Sequence, residues 1–134
     1  MASIRKDISF AAPCAEVWAA VRDFGAVHRR LAPGFVVDCR LDGEARIVTF
    51  HSGLVAREEF VDCDDTGRRL VYAIVGGERV KHYNASVRVD DDGEGRSRVT
   101  WVVDVLPNET APYISGQMDL AVAAMHRALE QRPA

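Results

Sequence analysis

The chain has 134 residues, 48% of them hydrophobic, which is the usual size of one domain and enough apolar material for a core without disulfide staples. Its 17 basic and 20 acidic residues give a formal net charge of -3, so there is no basic excess to track a nucleic-acid backbone or an anionic membrane surface. No apolar run approaches the ~20 residues needed to span a bilayer, and Met1 to Phe10 alternates charged and apolar residues where a signal peptide would have an apolar core. The expectation is one cytoplasmic domain over residues 1–134, with no nucleic-acid partner and no membrane span.

In chain order, Ile4, Ile8 and Phe10 share a side with Lys6 between them, which predicts a first strand over 3–10. Pro13 then opens a short amphipathic helix in which Val17, Val21 and Phe24, with Trp18 and Ala20, fall at helical spacing, and Gly25 follows. A second short helical piece over 26–31 ends ahead of Pro33-Gly34, because the residue before a proline disfavours helical geometry. Six strands follow, over 35–41, 44–51, 54–63, 69–76, 81–90 and 97–106. Asp42-Gly43, Ser52-Gly53, Asp64 to Gly67, Gly76-Gly77 and Asp91 to Gly95 separate them and supply hairpin turns, which imply antiparallel neighbours. The last element, Thr110 to Gln131, is a helix with Thr110 as its cap and Pro112 in its first turn. Ile114, Met118, Ala121, Met125 and Leu129 form its apolar stripe, and the final residues from Gln131 read as frayed. A long antiparallel meander must cover one face, and only this helix is large enough to do it. A sheet that bends around the helix encloses a space, and that space is the candidate site.

Three scattered cysteines, Cys14, Cys39 and Cys63, fit neither a disulfide framework nor a CxxC pair and read as buried or half-buried thiols. The four histidines show no HxH or HExxH spacing, His126 and Glu130 read as a surface pair, and Asp90 to Gly93 lacks the ligand pattern of a calcium loop. GxGxxG, GxxxxGK[ST] and GxSxG are all absent, so neither a metal nor a nucleotide cofactor is expected.

The segments APCAEVW at 12–18, DFG at 23–25, RLAPG at 30–34, EARIVTFHSG at 44–53, REEF at 57–60, RRLVY at 68–72, HYNASVRV at 82–89 and SRVTW at 97–101 occur in an order and spacing that resemble the START-like, or SRPBCC, superfamily, and in particular its bacterial polyketide cyclase/dehydrase branch. The resemblance implies an α+β helix-grip fold: a seven-stranded antiparallel sheet wrapped around a long C-terminal helix, with two short helices after the first strand. It also implies a small hydrophobic ligand, whether a polyketide, a lipid or an aromatic metabolite. Where family members commonly carry an aromatic residue ahead of the Pro-Gly this chain has Arg29-Arg30, which changes the expected cavity mouth.

Strand alternation assigns the inward face. Val99, Trp101, Val103 and Val105 fall on one side; folding back across each turn adds Tyr83, Ala85, Val87 and Val89, then Leu70, Tyr72 and Ile74, then Ala56, Glu58 and Phe60. A carboxylate on an apolar face is costly unless paired, and a loop at His51 to Gly53 sets Arg46 opposite Glu58. The pair either neutralises two awkward charges and fixes register, or is catalytic, with Arg46 holding an enolate or carbonyl oxygen while Glu58 or a phenol moves a proton. Tyr72 and Tyr83 are either core tyrosines or the hydroxyls that orient a ligand. The candidate catalytic set is therefore Arg46, Glu58, Tyr72 and Tyr83, and the candidate ligand contacts are Phe60, Ile74, Trp101, Val103, Tyr113, Gln117 and Met118. An enzyme of the cyclase/dehydrase type and a non-catalytic carrier both fit this set, and an interaction module is a weaker third.

Overall fold

In the computed structural model, which describes residues 1–130, the alternation of the sequence becomes a sheet with one buried face. Its strands are β1 (Ala2–Phe10), β2 (Val36–Asp42), β3 (Ala45–Phe50), β4 (Val55–Asp64), β5 (Arg69–Ile74), β6 (His82–Asp91) and β7 (Ser97–Leu106). They lie in the order β1-β7-β6-β5-β4-β3-β2, every neighbour antiparallel. From β2 to β7 this is a plain meander built on short turns. Gly43 and Gly93, at φ of 61° and 102°, take the left-handed backbone that two of those turns require. The turn after β4 is held differently: Asp64 Oδ1 accepts from the Thr66 and Gly67 amides at 3.0 and 3.1 Å, and the left-handed residue is Arg68.

Between β1 and β2 stand α1 (Cys14–Arg22), a 3-10 turn (Phe24–Ala26) and one turn of π-helix (Val27–Leu31), which together form the expected helical elbow. Trp18 seals α1 onto the sheet and donates its indole N–H to Asp65 at 3.0 Å. The terminal helix α2 (Ala111–Leu129) buries Met118, Ala121, Ala124 and Met125. Its start differs from the expectation. Thr110 already has helical backbone, because a 3-10 turn (Asn108–Thr110) precedes the helix, and its hydroxyl donates to the Pro107 carbonyl at 2.7 Å instead of capping a helix amide. Gln131 and the residues after it, read as frayed, lie outside the described residues.

Helix α2 runs along β1, not over the middle of the sheet. Lys6, the one charge in the apolar stripe of β1, reaches Asp119 at 2.9 Å and Ser115 at 2.8 Å. At the other end of the helix Glu130 accepts the Ala11 amide at 2.7 Å, beside His126, which lies with its ring 4.6 Å from that of Phe10. The helix is thus clamped to one side of the sheet, in its first half and at its C-terminal end. The opposite side, β3 to β5, is left facing a hollow.

Candidate functional site

That hollow measures about 470 Å³ and is enclosed by the inward face of β3 to β7, the π-helical turn and α2. Val27, Leu31, Phe35, Val48, Met118 and Met125 give it an apolar wall. Volume and lining are those of a small-molecule site, apolar with a few convergent polar groups.

The polar groups come from successive strands. Arg46 stands opposite Glu58, Glu58 opposite Ile74, Ile74 opposite Tyr83, and Val87 opposite Trp101, all on the buried face. Arg46 and Glu58 are 4% and 6% exposed, and Arg46 Nε donates to Glu58 Oε1 at 2.7 Å. Two buried charges persist only when their remaining valences are met, and here the guanidinium is met on three more sides. Its Nη1 donates to the Phe24 carbonyl at 3.1 Å, while Cζ lies 4.0 Å from the Phe24 ring centroid and 5.0 Å from that of Tyr72. The arginine is held between two rings with its fork turned to the carboxylate. Glu58 accepts from Arg46 through Oε1, and its side chain lines the hollow.

Tyr72 and Tyr83, their ring centroids 6.5 Å apart, form the next step along the wall. Burial pushes the Tyr72 phenol well above the ordinary tyrosine range, and the nearby Glu58 carboxylate pushes it the same way. Burial does the same to Tyr83, with Tyr72 and Glu58 adding to it. Both phenols therefore stay protonated at any physiological pH and act as hydrogen-bond donors. Trp101 lines the same wall, and its indole nitrogen is buried with no hydrogen-bond partner among the described residues.

Of the residues singled out from the sequence, Arg46, Glu58, Tyr72, Tyr83, Ile74, Trp101, Tyr113, Gln117 and Met118 line the hollow. Phe60 and Val103 do not. Phe60 pairs with Tyr72 as the alternation expects, but it is 37% exposed and packs edge-on against Phe24, ring centroids 5.7 Å apart, outside the hollow's lining. Val103 is fully buried next to β1 in the part of the sheet that α2 covers, where no space remains. Arg29 and Arg30 do not form the mouth either; both point to solvent and Arg30 pairs with Asp23 at 2.8 Å. The mouth is formed by the segment 75–80 after β5, whose Arg79 lies 6.0 Å from the ring of Tyr113, itself 45% exposed. Sequence reasoning missed this wall, since Gly76-Gly77 signals only a turn. It also missed Phe24, which reads as one more apolar residue of a helix face.

The cysteines are free; Cys14 is buried, Cys39 and Cys63 are half-buried, and desolvation raises all three thiols above the usual cysteine value. Among the described residues no three His, Cys, Asp or Glu side chains gather as a metal-ligand set, and no helix is long and apolar enough to cross a membrane.

No curated protein matches the sequence. Solved structures do match the fold. XoxI from Bacillus cereus is similar with a TM-score of 0.85 at 20% identity, over 96% of each chain. A protein from Thermobifida fusca gives 0.77 at 28% identity, over 96% of this chain and 91% of its own. Norcoclaurine synthase from Thalictrum flavum, solved with dopamine and hydroxybenzaldehyde, gives 0.72 at 20% identity, over 99% of this chain and 89% of its own. The seven-stranded sheet gripping a terminal helix is the helix-grip architecture expected from the sequence, and these structures share it. Residues 1–132 match the family described as polyketide cyclase / dehydrase and lipid transport, and the chain belongs to that family.

Proposed function

We propose that the protein binds a small hydrophobic molecule in the hollow between sheet and helix, and that it moves protons on a carbonyl compound there, as in an aldol cyclisation or a dehydration. The observation that carries this reading is one ion-paired carboxylate and two protonated phenols set on the wall of an otherwise apolar hollow of about 470 Å³. The Glu58 carboxylate takes a proton from carbon next to a carbonyl, and the electron pair moves onto that carbonyl oxygen as an enolate. Tyr72 and Tyr83 donate hydrogen bonds to the developing negative charge. The enolate carbon attacks a second carbonyl, whose oxygen receives a proton from Glu58; for a dehydration Glu58 then removes the remaining proton from the attacking carbon and returns it to the departing hydroxyl, which leaves as water as the carbon–carbon double bond forms. Arg46 positions Glu58 and does not itself reach for the substrate, because its guanidinium is already stacked and bonded. The family description names cyclases and dehydrases, and a synthase solved with an aromatic amine and an aromatic aldehyde has a similar fold; both support this class of ligand.

A carrier that returns its ligand unchanged is the second reading. It is favoured by the same stacking of Arg46, which takes the strongest cation of the wall out of reach, and by lipid transport in the family description. Native mass spectrometry of the purified protein, then denaturing extraction, tests both. A bound species of defined mass supports binding, and a poly-carbonyl probe that emerges cyclised or dehydrated by the wild type but unaltered by Glu58→Gln supports the chemistry. A protein that stays empty after incubation with fatty acids, sterols and aromatic polyketides overturns the reading.

A further inference from the structure

The open sheet has two edge strands, β1 and β2, and an edge strand offers its free backbone N–H and C=O groups to any chain that can pair with it. The two edges are treated differently. On β1 the charges are satisfied within the chain: Arg5 pairs with Asp7 at 3.0 Å, Lys6 reaches Asp119 at 2.9 Å, and α2 packs along the strand. On β2, Asp38 and Arg40 are exposed, and neither enters an ion pair among the described residues. Flanking them, Val37 and Leu41 are 52% and 60% exposed. Leu41 is backed by Gly25 of the elbow, where a Cβ would come within 3.1 Å of it, and still remains open. The start of the strand is covered, since Val36 donates to the Ala32 carbonyl at 3.0 Å and bridges to Pro33. From the bulge at Val37 onward, no further strand of the described residues lies beside β2.

We propose that β2 is a dimer interface: the β2 strand of a second copy of this chain adds to it antiparallel, about a twofold axis through Cys39, and the two sheets join edge to edge. A twofold axis pairs a strand with its own reverse, so the residue on the axis determines every other pair. With Cys39 on the axis, Asp38 of each copy faces Arg40 of the other, and Val37 comes to Leu41. With Arg40 on the axis, Arg40 faces itself and Asp38 faces Asp42. With Leu41 on the axis, Arg40 faces an Asp42 that Arg57 already holds, and Asp38 faces Glu44. Opposite charges directly across a strand pair attract and like charges repel, so of these registers only the first is free of repulsion. That self-complementarity selects a second copy as the occupant. The seam from Val37 to Leu41 is short, about 17 Å at ~3.4 Å per residue, which places it among small, reversible interfaces. Its charge pairs stand at the surface, so salt weakens it.

The test is sedimentation equilibrium of the full chain over a range of protein concentrations, for the wild type, Asp38→Arg, Arg40→Asp and the double swap Asp38→Arg/Arg40→Asp. Both positions are exposed, and circular dichroism confirms that each variant folds. The expected result is a reversible wild-type dimer that loosens with added salt. Each single reversal replaces two attractions with two repulsions and should weaken the dimer about tenfold or more, and the double swap should restore it. A mixture of the two single variants should form a heterodimer, because each then carries the sign that the other needs. Amide hydrogen exchange from Val37 to Leu41 should slow as the wild-type concentration rises. A wild type that stays monomeric up to about 1 mM overturns the proposal. So does a dimer that the single reversals leave intact or that the double swap fails to recover, since the copies then meet elsewhere or in another register.

Discussion

Val103 on β7 and Ile74 on β5 point to the same side of one sheet, yet one is sealed in a packed core and the other borders empty space. The difference lies in the helix above them. Toward β1 the helix is tied down by Lys6 to Asp119 near its middle and by the Ala11 amide to Glu130 at its C-terminal end, with the small, fully buried Ala124 outside the hollow's lining. Toward β3 to β5 the helix presents Met118 and Met125 across the hollow, and the sheet answers with rings and a buried ion pair instead of aliphatic filler. A helix clamped to one edge of a sheet packs half of it and leaves the other half concave. The proposed site lies on the half where packing is incomplete.

The largest effect that would break this comparison is on the hollow side. Glu58→Leu leaves the Arg46 guanidinium buried without its counter-ion, and removing one partner of a buried pair costs about 3–5 kcal/mol. The double variant Arg46→Met/Glu58→Leu should recover most of that, since a buried ion pair and a well-matched apolar pair differ little in net stability. Chemical denaturation of the three proteins measures both quantities. Equal losses in the single and double variants would mean that the pair contributes packing and not charge compensation.

A smaller effect sharpens the contrast between the two halves directly. Val103→Ala opens a new void in a filled region and should cost about 2–3 kcal/mol, whereas Ile74→Ala, which removes more atoms, enlarges a space that already exists and should cost about 1 kcal/mol. Thermal or urea unfolding gives the order. An Ile74 cost above that of Val103 would show that the hollow collapses around its lining in solution.

The sheet was legible in the sequence because period-2 alternation and turn residues determine register locally. Counting outward from His51 to Gly53 is enough to set Arg46 opposite Glu58, and counting from the Asp91 to Gly95 turn sets Val87 opposite Trp101. Phe60 keeps the register that the count gives it, opposite Tyr72, but it packs against the Phe24 ring and stays out of the hollow's lining, a tertiary contact that strand alternation cannot show. Val103 was misplaced for another reason. Its orientation was read correctly, but which half of the sheet the helix covers depends on long-range contacts such as Lys6 with Asp119, 113 residues apart in a chain of 134. The same holds for Phe24, which meets Arg46 only after the elbow folds back over β3. Thr110 carries the right residue type for a cap, but the helical turn that precedes it takes the cap's geometry away.

The smallest expected effect concerns the clamp, and its signature is a pH dependence. The Glu130 carboxyl is held below the usual glutamate value chiefly by the Ala11 amide that donates to it, with His126 adding to the shift. A carboxyl whose value is lowered by folding contributes stability that is complete above its unfolded value and disappears as the pH falls through its folded one. Stability should therefore decline on acidification below the ordinary glutamate range, and this part of the decline should vanish in Glu130→Gln. That variant keeps the shape but weakens the bond to Ala11, at a cost of about 1 kcal/mol near neutral pH. Urea unfolding of both proteins across the acid range separates the two: curves that converge at low pH place the lost stability at the clamp, and parallel curves place it elsewhere. Because Glu130 lies outside the hollow's lining, ligand affinity near neutral pH should be unchanged in the same variant. A loss of affinity there would mean that the clamp sets the depth of the hollow as well as the position of the helix.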